Sequence, residues 1–200
     1  MAAIVLLTDV KTLAAEAEES PIRIAFAYYA ESKYAETVQL LSKNVKSEDK
    51  YFSLFLLSWI LSTCPDDNIR NGKASMSHAC EFHFQTILYT FAYIKHGESD
   101  WRRFLWLPWV VSASTCAEFE EYNMAIFHQK VGLLFTELLN NVDPSKENIQ
   151  KRMRAILKLY ENGVPLRTPG LGIMQVSDDW CEKILNADDV KKVGFETIDR

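Results

Sequence analysis

Two hundred residues, 48% apolar and 12% aromatic, supply core enough for one domain, while seven glycines and six prolines are too few for a many-turned β-sandwich or a disordered chain. A formal charge of −5 and a pI of about 5.4 give no general attraction to nucleic acid or to anionic lipid. Cys64, Cys80, Cys116 and Cys181 stand 16, 36 and 65 positions apart with no C-x-x-C pair, which excludes zinc-knuckle and thioredoxin-like motifs and predicts buried free thiols.

The chain opens on a short apolar run with no basic region before it and acidic residues after it, so no signal peptide is expected and the setting is read as reducing and cytoplasmic. Thr8 or Asp9 is placed to cap a first helix through about Glu19, with Val10, Leu13, Ala14 and Ala17 as its apolar stripe. Ser20-Pro21 is a helix start, a capping residue followed by proline at the first helical position. Ile22, Phe26 and Tyr29 follow at helical spacing, and Tyr34, Val38, Leu41 and Val45 continue it at intervals of 4, 3 and 4. Whether Glu31-Ser32 separates two helices stays open at this level.

Residues 51–61, YFSLFLLSWIL, organise the rest. Nine of the eleven are apolar, and the exceptions, Ser53 and Ser58, are small. Ser47, Glu48 and Asp49 suit a helix start, and Cys64-Pro65-Asp66 a helix end. A helix apolar on all sides belongs inside a bundle, and this one is too short for a membrane span, which needs about 20 such residues.

A polar loop with Asn71-Gly72 as its turn signal leads to Ser75 or Ser77, the expected start of a long helix to Lys95. Ala79, Phe82, Thr86, Tyr89 and Tyr93 line one side of it, and Phe84, Ile87, Leu88 and Phe91 broaden the apolar surface, predicting a second largely buried helix with residues 82–93 at the centre. Ser99 and Asp100 cap the next element, in which Pro108 either kinks a helix or starts a new one. A helix is expected over residues 123–140, with Ile126, Phe127, Val131, Leu134, Phe135 and Leu138 at helical intervals. Asp143-Pro144 starts another, with Ile149, Met153, Ile156, Leu157 and Tyr160 inward, ending at Asn162-Gly163. Residues 164–200 hold prolines and glycines and one short helix capped by Ser177, packed on the helical domain of residues 1–163.

Motifs for chemistry are absent: no P-loop and no G-x-S-x-G, and Gly170-Leu171-Gly172 lacks a third glycine. His78 and His83 are five apart, about 140° around a helix, so with Cys80 they would grip a metal only with distortion. No Glu-x-x-His occurs, which removes a di-iron bundle site. Glu16, Glu18, Glu19 and Glu118, Glu120, Glu121 read as solvated faces, and Lys151, Arg152, Arg154 and Lys158 as the outer face of an amphipathic helix. No catalytic residue, metal or cofactor is expected.

Trp101, Trp106 and Trp109, with Arg102 and Arg103 among them, form the densest aromatic cluster. Core packing explains such a cluster through burial energy; an interface explains it through the enrichment of Trp and Arg in binding hot spots. As a partner-binding site it requires at least one exposed indole. Trp106 is the candidate, 140° round from Trp101 on a continuous helix.

Two stretches, KNVKSEDKYFSLFLLSWIL and DPSKENIQKRMRAILKLYENG, about 40 residues together, resemble a family of uncharacterised all-helical bacterial proteins encoded near type VI secretion components. That family has more alanine and a paired tryptophan where this chain has Trp59 and several phenylalanines. The resemblance implies an accessory or adaptor role rather than catalysis, and transfers no functional residue. The expected fold is all-α: a single-domain bundle of seven to nine helices around a buried central helix, with stacked helical hairpins also compatible. The expected function is a non-enzymatic protein-interaction module with a protein partner, no nucleic acid and no membrane span. The alternative is a helical enzyme or sensor binding a small molecule in an aromatic-lined pocket.

Overall fold

The computed structural model describes residues 20–46, 50–95, 105–137, 146–167, 173 and 176–192. Within them lie eight helices: α1 Pro21–Ala30, α2 Tyr34–Asn44, α3 Lys50–Thr63, α4 Gly72–Lys95, α5 Leu107–Glu118, α6 Tyr122–Glu137, α7 Lys146–Glu161 and α8 Asp178–Asn186. No strand occurs among the described residues. Each helix packs on its neighbour in sequence, and α3 also packs on α5. The fold is an all-α multi-helix bundle, and none of its described helices is long and apolar enough to cross a membrane.

Helix α3 is the core. From Ser53 to Cys64 every residue is buried, enclosed by α2, α4 and α5. An all-round apolar sequence leaves no side to give to water, and each fully buried Leu, Ile or Phe adds about 1.5–3 kcal/mol. Two of the three serines inside it, Ser58 and Ser62, are bound across helix boundaries, while Ser53 Oγ is buried without a partner. Ser58 Oγ donates to the Ser75 carbonyl at 2.9 Å, and Ser75 Oγ donates back to the Ser58 carbonyl at 2.8 Å. Ser75 Oγ also lies 2.7 Å from Thr115 Oγ1, and Ser62 Oγ 2.9 Å from Ser114 Oγ. This buried hydroxyl seam ties α3, α4 and α5 together with its polar atoms satisfied.

Helix ends follow local chemistry. Lys33 N donates to the Tyr28 carbonyl and Ser32 N to the Tyr29 carbonyl, so Glu31-Ser32 separates α1 from α2, with Ser32 at φ 59°. The same paired closure ends α5 at Glu120 (φ 61°) and α7 at Gly163 (φ 68°). Asn71-Gly72 is a helix start rather than a turn within the loop. Asn71 Oδ1 accepts from Ala74 N at 3.0 Å, which starts α4 before the serines expected to begin it. Pro108 occupies the first turn of α5 and therefore begins a helix. At the C-terminal side of the bundle, Ser177 caps α8 by accepting from Trp180 N at 3.2 Å. The basic residues of α7 hold α8: Lys151 pairs with Glu182 at 2.6 Å, Arg152 Nε donates to the Val176 carbonyl at 2.7 Å, and Lys158 Nζ donates to the Leu185 and Ala187 carbonyls. Val164, Leu166, Ile173, Val176, Cys181 and Ile184 complete the core there.

Two helices turn apolar residues outward. Helix α4 is buried along Ser75, Ala79, Phe82 and Thr86, but Phe84, Ile87 and Leu88 are exposed, so, contrary to expectation, it is not largely buried. Helix α6 turns Ala125, Gln129, Gly132 and Thr136 inward, whereas Phe127 and Leu134 face solvent. The cause is close approach. A Cβ at Gly132 would lie 2.8 Å from Met153 Cε, 3.3 Å from Trp109 Cβ and 3.5 Å from the Trp106 carbonyl oxygen. Only small side chains fit there, and the large apolar row is left on the other side. The expected first helix, the Ser47 and Ser99-Asp100 caps, and the Asp143-Pro144 start lie outside the described residues.

Candidate functional site

Because Pro108 opens α5, Trp109 falls in its first turn and is wedged between two helices. Its indole meets His83 of α4 edge-on at 5.2 Å, His128 of α6 at 5.6 Å, and stacks on Phe135 of α6 at 6.0 Å with 16° between the planes. His83 Nδ1 is also 3.2 Å from Ser112 Oγ on α5. Burial, followed by the nearness of His128, pushes His83 down to about 4, and burial lowers His128 as well. Both imidazoles are therefore neutral at pH 7, and the cluster carries no charge.

The bare rows follow from helix angles. On α4, Phe84, Ile87 and Leu88 centre roughly 90° to one side of His83, and Phe82, Ala79 and Thr86 lie to the other. On α6, Phe127, Val131 and Leu134 centre roughly 90° from His128, with Gln129, Ala125 and Gly132 opposite. The small-residue and Phe82 stripes face the core and both histidines face Trp109, so each bare row lies on the side of its own helix turned away from its core stripe. Phe84, Ile87, Leu88, Met124, Phe127 and Leu134 are 47–61% exposed there. Their spacing is that of a helix seam: Cys80, Phe84 and Ile87 at intervals of 4 and 3, and Met124, Phe127, Val131 and Leu134 at 3, 4 and 3.

Ser112 and His83 lie at a nucleophile–base distance, but a histidine held at about 4 is a weak base at neutral pH, and Ser112 is buried. No group of three or more His, Cys, Asp or Glu residues able to hold a metal ion occurs among the described residues. Glu118 is clamped between Arg70 at 3.3 Å and Arg167 at 2.7 Å, and Arg70 also pairs with Asp67. Those guanidinium groups donate to the carbonyls of Cys64, Pro65 and Ser62 as well, so this cluster closes the C-terminal end of α3, where cations suit the helix dipole.

Of the residues proposed from sequence, Trp101, Arg102 and Arg103 lie outside the described residues. Trp106 is buried at 3% exposure, contrary to the expected exposed indole. The helix starts only at Leu107, so an angle counted along a continuous helix from Trp101 does not apply. Trp109 is half-buried, between His83 of α4 and His128 of α6. The exposed rows of α4 and α6 were visible in the sequence only as apolar spacing, the same signal that marks a core stripe. Compared with models of known protein families, with curated proteins and with solved structures, the chain matches none.

Proposed function

We propose that this protein is a non-enzymatic interaction or adaptor module that binds protein through the outer face of α4 and α6, around Trp109. The observation that carries the reading is the pair of seam-spaced apolar rows left exposed on α4 and α6, the two helices that meet at Trp109. Folded chains seldom leave large apolar patches bare unless something docks on them. The resemblance of residues 43–61 and 143–163 to helical proteins encoded near type VI secretion components supports an accessory role, in the bacterial cytoplasm. An enzyme or small-molecule sensor would draw on the Ser112–His83 contact, and the low basicity of His83 speaks against it.

The test compares the tagged chain with a Phe127→Ser, Leu134→Ser variant in the source cells. Proteins recovered with the parent should be lost from the variant while its helical circular dichroism is unchanged. Recovery of the same proteins by both would move the function away from this face.

A further inference from the structure

We propose that the occupant of the α4–α6 face is the same face of a second copy, forming a two-fold dimer whose interface is built from two α4 and two α6 helices. This rests on the interaction reading above and names its partner. Area is the first argument. The exposed parts of Phe84, Ile87, Leu88, Met124, Phe127 and Leu134 amount to roughly 600 Å² on one chain. A stable complex of standard size buries about 800 Å² per partner, of which these six side chains supply about three quarters.

Register is the second. Knobs-into-holes packing needs facing helices with the same alternation of three and four, and this chain carries that alternation on both rows. An isologous pairing uses each row twice and closes, leaving no apolar row over. Charge is the third. Every residue of the two rows is uncharged, and the flanking Glu81 and Lys130 are paired within the chain to Lys50 and Glu161. Between Cys80 and Leu88 and between Met124 and Leu134 the rows hold no charge, so they do not repel their own copy although the chain carries a charge of −5.

Sedimentation of the purified full chain tests the proposal, with Ile87→Glu and Leu134→Glu as separate variants, one on each helix. Cys80 supplies an independent readout, because it stands in the α4 row and is exposed whereas Cys64, Cys116 and Cys181 are buried. The expected result is a species of twice 23.0 kDa, reduced to monomer by either substitution with circular dichroism preserved. Alkylation of Cys80 should then be slow in concentrated protein and about tenfold faster on dilution or in either variant. A monomer in concentrated solution with freely reactive Cys80 overturns the dimer while leaving a different protein partner for the face. A monomer whose Cys80 is protected at every concentration means that the chain covers this face itself, overturning both the dimer and the interaction reading. A dimer indifferent to both substitutions overturns the proposal, since its interface is then elsewhere.

Discussion

Gly132 shows how one missing methyl group arranges a surface. Its Cα faces Trp109 Cβ and the flexible end of Met153, and the approach it allows brings α5 against α6. Gly132→Ala should gain up to about 1 kcal/mol in helix propensity and lose about 1–3 kcal/mol by overpacking. The expected net is a loss of about 1–2 kcal/mol, read from the urea midpoint; a gain would mean that Met153 yields without cost. His83 makes a second prediction. Its ionisation is depressed from 6.5 to about 4 in the folded chain, chiefly by burial. Between those values the unfolded chain binds more protons, so stability falls as pH drops through 6.5 and levels off below about 4. Partial exposure holds the effect to roughly 1–2 kcal/mol. His83→Gln should flatten this slope in denaturation series between pH 4 and 7; an unchanged slope would assign it to other groups. Trp106 marks a limit of residue-level reading. The 140° angle was sound geometry for a continuous helix, but Pro108 starts a new one and the indole turns inward.

At the scale of elements, α3 was legible because it offers no choice of face: an all-round apolar segment ending before a proline has one place to go. Helices α4 and α6 each carry two stripes compatible with burial, and periodicity does not rank them. In α6 the winning stripe, Ala125, Gln129, Gly132 and Thr136, is the less apolar one. It wins because short side chains permit close helix contact, a property of the neighbouring helix as much as of α6. Gln129 is compensated in part, its Nε2 donating to the Met153 carbonyl at 2.9 Å while its buried Oε1 has no partner. The hydroxyl seam was likewise hidden, since Ser58, Ser75 and Thr115 are 17 and 40 positions apart in sequence. Helix ends were easier. Gly163 announces its left-handed conformation, but Ser32 and Glu120 adopt the same one without being glycine. Ser32→Gly and Glu120→Gly should each stabilise the fold by about 0.5–1 kcal/mol by relieving that conformation. Thermal unfolding measures this, and a lowered midpoint would show that the native side chains contribute more than the backbone strain costs.

The molecule as a whole is assembled by contacts between successive helices, with α3 against α5 as the cross-tie. Its last described helix is held by a basic helix rather than by apolar packing alone. Arg152 is nearly buried, donates to the Val176 carbonyl and pairs with Asp178 at 3.1 Å. Behind it, burial pushes the Cys181 thiol up to about 11, so this cysteine should be inert while α8 is docked. Arg152→Ala leaves the Val176 carbonyl without its donor and should cost about 1–3 kcal/mol. Alkylation of Cys181 at pH 8 should accelerate with it; an unaltered rate would mean that apolar packing suffices to hold α8. Asp178 and Glu182 of α8 thus take up Arg152 and Lys151 of the basic run.

The reciprocal bonds between Ser58 and Ser75 have a mechanical meaning. Each hydroxyl grips the other helix's backbone, so sliding α4 along α3 by even one residue would break both bonds together. Thr115 extends the grip to α5, and Gly132 seats α5 on α6. The two outer rows are thus held in a constant phase, like teeth cut on one block. On the proposed reading, a partner would meet a template already in register, its ordering done during folding rather than at docking.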